Sequence, residues 1–249
     1  KKVVVSVHEI KGWSSRRSYV GKLISVMDFG VKSTTRRFRW IISHVDAIVV
    51  HNPHSFELLM SRYKCLTPIE VIPLPHVARA DSGFILPDRA SAREKLGLPS
   101  DKFIYLFFGN CRLEKGLDLA LRAVAELKAF SENFLFITAG KMKPHEVAYF
   151  ENLANELGLG DNLRMDVGLV SDEVAVDYFY AANAVVLPYR EVAESGVAIT
   201  ASTHGRAIIA SDLAPFLEAT EDGRLGLHFR NGDIFDIARV MKLVMTLES

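Results

Sequence analysis

Short apolar runs alternate with amphipathic stretches along most of the chain, and this alternation predicts an α/β protein with parallel sheets. From residue 103 onward the runs are rich in Val, Ile, Leu and Phe, which is typical of strands buried on both faces of a sheet. They lie at Phe103–Phe108, Phe134–Ala139, Leu163–Val167, Ala184–Leu187, Ala207–Ala210 and Leu225–Phe229. Helical spacing of apolar residues follows the first run, from Leu117 to Leu127. This part of the chain is therefore predicted to form a doubly wound parallel sheet.

The first part of the chain carries a shorter version of the same pattern. Strands are predicted near Val3–Val7, Ala47–Val50 and Ile69–Ile72, with helices near Thr34–His44 and His54–Tyr63. Residues 73–87 then concentrate turn formers, which mark a boundary between two lobes. We expect a partial Rossmann-like lobe over 1–78 and a Rossmann-like domain over 79–249. A short helix after the boundary is predicted to begin with a capping box from Ser91 to Glu94.

The loop after the run Phe103–Phe108 carries two positive charges at the start of a helix. Gly109 ends the run, Arg112 and Lys115 follow, and Gly116 precedes the helical pattern. Unpaired N–H groups and the macrodipole at a helix N-terminus favour anions. The loop therefore predicts a site for a diphosphate. Ordinary solvated charges are the alternative, because most Lys and Arg side chains are solvated.

A second junction of the same kind follows the run Ala184–Leu187. Tyr189 and Arg190 come soon after the run, and Ser195 and Gly196 open a helix of small residues. Ser195 is expected to be the N-cap, and Gly196 would let a ligand approach the backbone closely. Ligands of doubly wound sheets bind beyond the carboxyl ends of the strands, and both junctions fall at such ends.

These landmarks occur in an order that is typical of one enzyme family. The matching segments are Val7–Ile10, Asp46–His51, Val71–Pro73, Arg93–Leu98, Phe108–Gly116, Ala139–Gly140, Leu187–Arg190, Ser195–Gly196, Gly205–Ala210 and Glu218. The chain resembles the GT-B glycosyltransferases, specifically the large retaining family 4 group, in a branch with an R-x-x-K-G loop and a P-Y-R…S-G loop. The resemblance covers nearly the whole chain and implies the GT-B fold, with two Rossmann-like lobes.

The resemblance implies transfer of a sugar from a nucleoside-diphosphate sugar to a glycan, a lipid-linked or another acceptor. It implies retention of configuration without a metal or a cofactor. Three residues would lie near the reaction: His8 beside the transferred sugar, and Arg112 and Lys115 on the departing diphosphate. A larger set would bind the donor: Gly109, Gly168, Leu169, Val170, Tyr189, Arg190, Glu194, Ser195, Gly196, Val197 and Glu218. In that set the Gly168–Val170 turn would read the nucleotide base through main-chain contacts.

The chain departs from the family pattern in two ways. Many members carry two glutamates, one of which holds the ribose, where this sequence has Val192 and Thr200. Glu191 and Glu194 are the flanking candidates for that role. The sequence also begins at the strand that ends in His8, whereas members have several βα units before it. A non-catalytic or truncated nucleotide-sugar-binding module therefore stays open, as does an epimerase or a phosphorylase of the same fold.

The net charge of zero conceals a basic first part and an acidic remainder. Residues 1–64 hold 12 Lys and Arg against 4 Asp and Glu, whereas the rest of the chain holds 18 against 26. Between residues 11 and 39 basic and aromatic side chains are interleaved, which is typical of a segment that lies on an anionic membrane surface. A solvated helix face with aromatic core residues is the equal alternative. Nucleic-acid binding is not expected, because no recognition motif accompanies the charges.

Length and composition favour a soluble protein with one large or two modest cores. The 249 residues are 49% hydrophobic, yet no apolar run approaches the ~20 residues that span a bilayer. Cys65 and Cys111 lack metal-ligand spacing, which suits a reducing compartment. We expect a cytoplasmic location, either free or peripheral at the inner face of the membrane. An exposed sheet edge at the strand that ends in His8 would favour a homodimer, a covering segment or aggregation.

Overall fold

The structure, a computed structural model, has the α/β fold that the sequence predicts. It describes residues 4–6, 38–73, 86–192, 194–221 and 223–247. The chain divides into two compact units, Lys1–Pro75 with Glu191–Ser195, and His76–Arg190 with Gly196–Ser249. Each unit has its own parallel sheet and its own apolar core. The lobe boundary at residue 78 stays a prediction, since it falls outside the described residues.

The smaller unit contains a three-stranded parallel sheet. Its strands are β1 (Val4–Ser6), β2 (Ala47–Val50) and β3 (Ile69–Val71), in the order β1-β2-β3, and helix α1 (Pro53–Tyr63) connects β2 to β3. Asn52 caps α1 by accepting a hydrogen bond from the Ser55 N–H at 2.7 Å. Apolar side chains from the sheet and the helix form the core, among them Ile48, Val50 and Leu59. The strands and the helix that the sequence predicts after residue 46 are therefore confirmed.

The larger unit contains a six-stranded parallel sheet with helices between its strands. The strands are β4 (Phe103–Phe108), β5 (Phe134–Gly140), β6 (Leu163–Val167), β7 (Ala184–Leu187), β8 (Ala207–Ser211) and β9 (Gly226–Phe229). The helices are α2 (Arg89–Leu96), α3 (Leu117–Lys128), α4 (Pro144–Glu156), α5 (Asp172–Ala181), α6 (Gly196–Thr203), α7 (Ala214–Ala219) and α8 (Ile234–Leu247). All six predicted runs are strands, so the predicted parallel sheet is confirmed.

The order of the strands, β6-β5-β4-β7-β8-β9, reverses direction at the centre of the sheet. From β4 the chain runs outward through β5 and β6, and it then returns to place β7 on the other side of β4. Strand β4 pairs with β7 through Tyr105 with Ala184 and Leu106 with Val185. Doubly wound sheets bind ligands at such a switch point, beyond the carboxyl ends of the strands. The segments that follow β4 and β7 therefore lie where a ligand site is expected.

Helix α2 begins earlier than the capping-box pattern predicts. The Asp88 carboxylate caps it by accepting a hydrogen bond from the Ser91 N–H at 2.7 Å. The predicted start at Ser91 is wrong, because Asp88 is an equally good cap and the earlier start adds a turn of hydrogen bonds. The helix carries Arg93 into the interior, where its guanidinium donates to the Asn183 side chain at 2.8 Å.

Candidate functional site

The cationic loop, residues 109–116, leaves the sheet after β4 and leads into α3. Gly109 has a φ of +102° and Gly116 a φ of +70°, so both ends of the loop use left-handed backbone that favours glycine. A Cβ on Gly116 would lie 1.8 Å from the Pro188 carbonyl oxygen, and one on Gly140 would lie 1.8 Å from that of Gly109. The loop is thus packed backbone to backbone against the segment that follows β7 and against the last residue of β5.

A short 3₁₀ turn, Leu113–Lys115, gives the cationic loop its shape. The Lys115 N–H donates to the Arg112 carbonyl oxygen at 2.9 Å, and the Gly116 N–H donates to that of Leu113 at 2.9 Å. These bonds fix the backbone of the two basic residues relative to the first turn of α3. The sequence prediction of a formed loop between strand and helix is therefore confirmed.

Cys111 is a buried residue that packs inside the loop. Its N–H donates to the Lys141 carbonyl oxygen at 3.0 Å, and its side chain is fully buried. Burial, with a smaller contribution from the charge of Glu146, raises the pKa of the Cys111 thiol to about 12. The thiol therefore stays protonated at neutral pH and fills space among apolar side chains.

The two basic side chains of the cationic loop differ in their contacts with the rest of the protein. Lys115 is half-buried, and its Nζ lies 3.8 Å from the centroid of the Tyr189 ring in a cation–π contact. Arg112 is also half-buried, and its guanidinium makes no hydrogen bond or ion pair within the described part of the chain. A guanidinium carries five N–H donors in a fork that suits phosphate oxygens. The donors of Arg112 are available to an anion at the switch point.

The segment after β7, Pro188–Arg190, is here called the supporting segment. The ring of Tyr189 is 1% exposed and packs edge-on against Phe216, with the centroids 5.2 Å apart. The Arg190 guanidinium forms a two-pronged ion pair with Asp118, with N–O distances of 2.8 and 2.7 Å. Hydrogen bonding to Asp118 raises the pKa of Arg190 above its ordinary value. A direct donor contact for Tyr189 or Arg190 stays a prediction.

Asp118 is a residue of this region that the sequence analysis missed. It lies in the apolar stretch Leu117–Leu121 at the start of α3 and is 8% exposed. A carboxylate on a buried apolar stretch needs a cation or hydrogen-bond donors. That signal was available in the sequence, but the partner, Arg190, lies 72 residues further along the chain.

Helix α6 begins close to the end of β4. A Cβ on Gly109 would lie 3.7 Å from Cγ2 of Val197, whereas nothing lies within 4 Å of one on Gly196. The first N–H groups of α6 therefore lie beside the cationic loop, with open space at Gly196. The Thr200 hydroxyl donates to the Gly196 carbonyl oxygen at 2.8 Å, so its bond stays within the helix.

The turn that would read the base, Gly168–Val170, follows β6. The Gly168 N–H donates to the Gly140 carbonyl oxygen at 3.0 Å, and the Leu169 side chain is 80% exposed. An exposed apolar side chain at a strand end can pack against an apolar face of a ligand. The turn lies two strands from β4 in the sheet order.

Apart from the Gly168–Val170 turn, the predicted site residues fall into three groups. The larger unit brings together Gly109, Arg112, Lys115, Tyr189, Arg190, Gly196 and Val197 at the switch point. Glu194 is half-buried and Ser195 is buried, and both belong to the smaller unit; Glu218 is exposed on α7. His8 and the basic segment 11–37 lie outside the described residues.

The described ranges contain neither a cluster of metal-ligating side chains nor a membrane-spanning helix. No group of three or more His, Cys, Asp and Glu side chains there could hold a metal ion. No helix in those same ranges is long and apolar enough to cross a bilayer.

Known proteins similar to this chain are glycosyltransferases. A family model described as glycosyl transferases group 1 matches residues 88–249. A D-inositol 3-phosphate glycosyltransferase from Streptomyces avermitilis is 32% identical over 161 residues, which cover 62% of this chain and 34% of that protein. Its counterpart from Stackebrandtia nassauensis is 27% identical over 214 residues, which cover 83% of this chain and 47% of that protein. The chain thus spans less than half the length of these relatives.

Solved structures of glycosyltransferases share the fold. Sucrose-phosphate synthase from Thermosynechococcus elongatus matches with a TM-score of 0.75 at 24% identity, over 86% of this chain and 53% of that one. Anabaena HepE, in complex with UDP and glucose, matches with a TM-score of 0.73 at 16% identity, over 98% of this chain and 62% of that one. The GT-B fold that the sequence predicts is confirmed, and the chain belongs to the glycosyl transferases group 1 family.

Proposed function

We propose that this chain is a glycosyltransferase that binds a nucleoside-diphosphate sugar and transfers the sugar to a glycan, a lipid-linked or another acceptor. The observation that carries the proposal is the cationic loop at the switch point of the sheet. Its Arg112 guanidinium has no protein partner within the described residues, and its Lys115 is held on the Tyr189 ring. Membership of the glycosyl transferases group 1 family supports the same reaction class.

The chemistry follows from the charge that develops on the leaving group. When the bond between the anomeric carbon and the diphosphate oxygen breaks, the electron pair goes to the diphosphate, which gains negative charge. Arg112 would grip two phosphate oxygens, and Lys115 would add a point charge. The first N–H groups of α6 would donate to the same phosphates. These groups would do the work of a divalent metal, so the proposed reaction is metal-independent, and the family resemblance supports retention of configuration.

The nucleotide would extend from the cationic loop toward the Gly168–Val170 turn. The exposed side chain of Leu169 would face the base, while main-chain groups of the turn would read its edge. UDP is the first nucleotide to test, because HepE, a structure with the same fold, holds UDP with glucose. We also propose that the protein is cytoplasmic and contacts the inner face of the membrane through residues 11–39. A homodimer is a further part of this proposal.

Calorimetric titration of the chain with UDP, GDP and ADP, each beside its nucleoside, tests the diphosphate site. Replacing Arg112 or Lys115 with Ala should weaken binding of the preferred diphosphate by about tenfold to a hundredfold and leave the nucleoside unaffected. Arg112→Lys should also lose affinity, because a point charge lacks the planar fork. Arg122→Ala removes an exposed positive charge on α3 and serves as the matched control. Equal losses for the diphosphate and the nucleoside would contradict the proposal.

Two additions to the same titration separate the proposed reaction from its competitors. Binding should survive EDTA, and loss that manganese or magnesium restores would contradict a metal-independent site. Incubation with the sugar derivative of the preferred nucleotide should give a glycosylated product only when an acceptor is present. An epimer formed without an acceptor would indicate an epimerase, and binding without turnover would indicate a binding module.

A further inference from the structure

Asp118 and Arg190 form a two-pronged ion pair beside the cationic loop. Both oxygens of the carboxylate accept from the guanidinium, and the side chains of Asp118 and Arg190 are 12% and 40% exposed. A largely buried carboxylate that lost this partner would be left uncompensated. The pair therefore fixes the first turn of α3 to the supporting segment.

Arg190 also holds the turn of the cationic loop that carries Lys115. Its Nη1 donates to the Leu113 carbonyl oxygen at 2.6 Å, and its backbone N–H donates to that of Glu114 at 3.1 Å. The Arg190 carbonyl oxygen in turn accepts from the Asn231 side chain at 3.0 Å. Side chain and backbone together anchor the two residues that precede Lys115.

Tyr189 fixes the other end of Lys115, its ammonium group. The Tyr189 ring is buried against Phe216, and the Ser211 hydroxyl donates to the Tyr189 carbonyl oxygen at 2.9 Å. The ring therefore has a fixed place in the core, and the Lys115 Nζ rests on its face. A lysine that is already immobilised loses less rotamer freedom when it binds a phosphate.

We propose that Asp118, Arg190 and Tyr189 are positioning residues that hold Lys115 in its binding geometry and do not themselves bind the donor. Every hydrogen bond that the Arg190 side chain makes in the described residues goes to Asp118 or Leu113. The Tyr189 ring is covered by Lys115 and the core. The inference rests on the proposed function, because it assigns a role to Lys115 on a diphosphate.

The test is a set of titrations with the best binder among UDP, GDP and ADP, and with its nucleoside. Asp118→Asn, Arg190→Gln and Tyr189→Leu should each weaken diphosphate binding by about threefold to tenfold, because Lys115 must then be ordered on binding. Nucleoside binding should stay unchanged. The double variant Asp118→Asn/Arg190→Gln should lose no more diphosphate affinity than the single variant that binds more weakly.

The decisive experiment repeats the three single substitutions in a protein that also carries Lys115→Ala. If the three residues act through Lys115, each should then change the diphosphate Kd by less than about twofold. Undiminished losses in that background would overturn the proposal, because the residues would act on the ligand directly or on the fold as a whole. A loss of the same size for the nucleoside would overturn it as well.

Two controls keep this result separate from general damage and from failure of the proposed function. Asp177→Asn breaks an ion pair with Lys95 in the same unit, of 3.2 Å, and should leave the diphosphate Kd unchanged. If Arg190→Gln does not fold, Arg190→Lys replaces it in the test. This variant keeps the charge but only one contact, so it should lose less diphosphate affinity. A parent protein that binds no diphosphate contradicts the proposed function, whereas a parent that binds while the variants bind equally well contradicts only the positioning role.

Discussion

The cationic loop and the supporting segment each place an arginine after a central strand, but they use it differently. The Arg112 guanidinium in the loop makes no hydrogen bond or ion pair in the described part of the chain, whereas the Arg190 guanidinium donates to Asp118 and to Leu113. A paired charge at a switch point is part of the fold, and an unpaired one is available to a ligand. From this difference we propose that the arginines of the two loops have different roles, Arg112 in binding the ligand and Arg190 in positioning the cationic loop.

The largest expected effect comes from breaking the contact between the two regions. Gly116→Ala would put a Cβ 1.8 Å from the Pro188 carbonyl oxygen at a residue whose φ is +70°. The left-handed backbone alone costs about 1–2 kcal/mol for a residue with a side chain, and displacement of the supporting segment adds to it. We expect urea unfolding to show a loss of about 3 kcal/mol or more in the free energy of unfolding.

Gly158→Ala is the matched control for this prediction. Gly158 has a φ of +61°, and nothing lies within 4 Å of the place that a Cβ would occupy. Its replacement should therefore cost only the backbone term of about 1–2 kcal/mol. Equal losses for the two variants would mean that the close approach to Pro188 contributes nothing.

Sequence alone predicts most of the larger unit, and the physical reason is the burial of its strands. A strand covered on both faces is a nearly continuous apolar run, so Phe134–Gly140 and its neighbours are visible without a structure. The position of Arg112 and Lys115 follows in the same way from the order of strand, glycine and helix.

The roles that we propose for Arg190 and Tyr189 were not predictable in the same way. The partner of Arg190 is 72 residues away, and spacing carries no information about such a contact. Tyr189 follows a strand end, where an aromatic side chain can face either a ligand or the core. Only the packing of Phe216 and Lys115 around the ring decides between the two.

Thr138 also has an unpaired polar group, but this group lies in the core of the larger unit, unlike the Arg112 guanidinium. Its side chain is fully buried on β5, and its hydroxyl has no hydrogen-bond partner in the described residues. Thr138→Val should therefore raise the free energy of unfolding by about 0.5–2 kcal/mol, because a methyl group avoids the desolvation cost. Thermal unfolding checks this, with Thr138→Ser, which keeps the hydroxyl, as the destabilised control. A less stable Thr138→Val would show that the hydroxyl is bonded after all.

The effect of Cys111 on stability appears only at alkaline pH. Its folded pKa is raised to about 12, mainly by burial, so its contribution to stability is fully present below the unfolded pKa of about 8.5. As pH rises from there toward 12, the unfolded state gains from deprotonation, and stability falls by about 1.4 kcal/mol per pH unit. The difference in unfolding free energy between the parent and Cys111→Ala should narrow accordingly between pH 9 and pH 10.5. A constant difference would contradict the burial of the thiol.

We propose that the Arg112 guanidinium binds the diphosphate, whereas the Arg190 guanidinium stabilises the folded loop. The most direct measurement is the diphosphate Kd of Arg112→Ala, taken together with its free energy of unfolding and beside the same pair of values for Arg190→Ala. We predict that Arg112→Ala loses about tenfold to a hundredfold in affinity at unchanged stability, whereas Arg190→Ala loses about 1.5–3 kcal/mol of stability through its broken ion pair. An Arg112→Ala protein that binds the diphosphate as tightly as the parent would contradict the account.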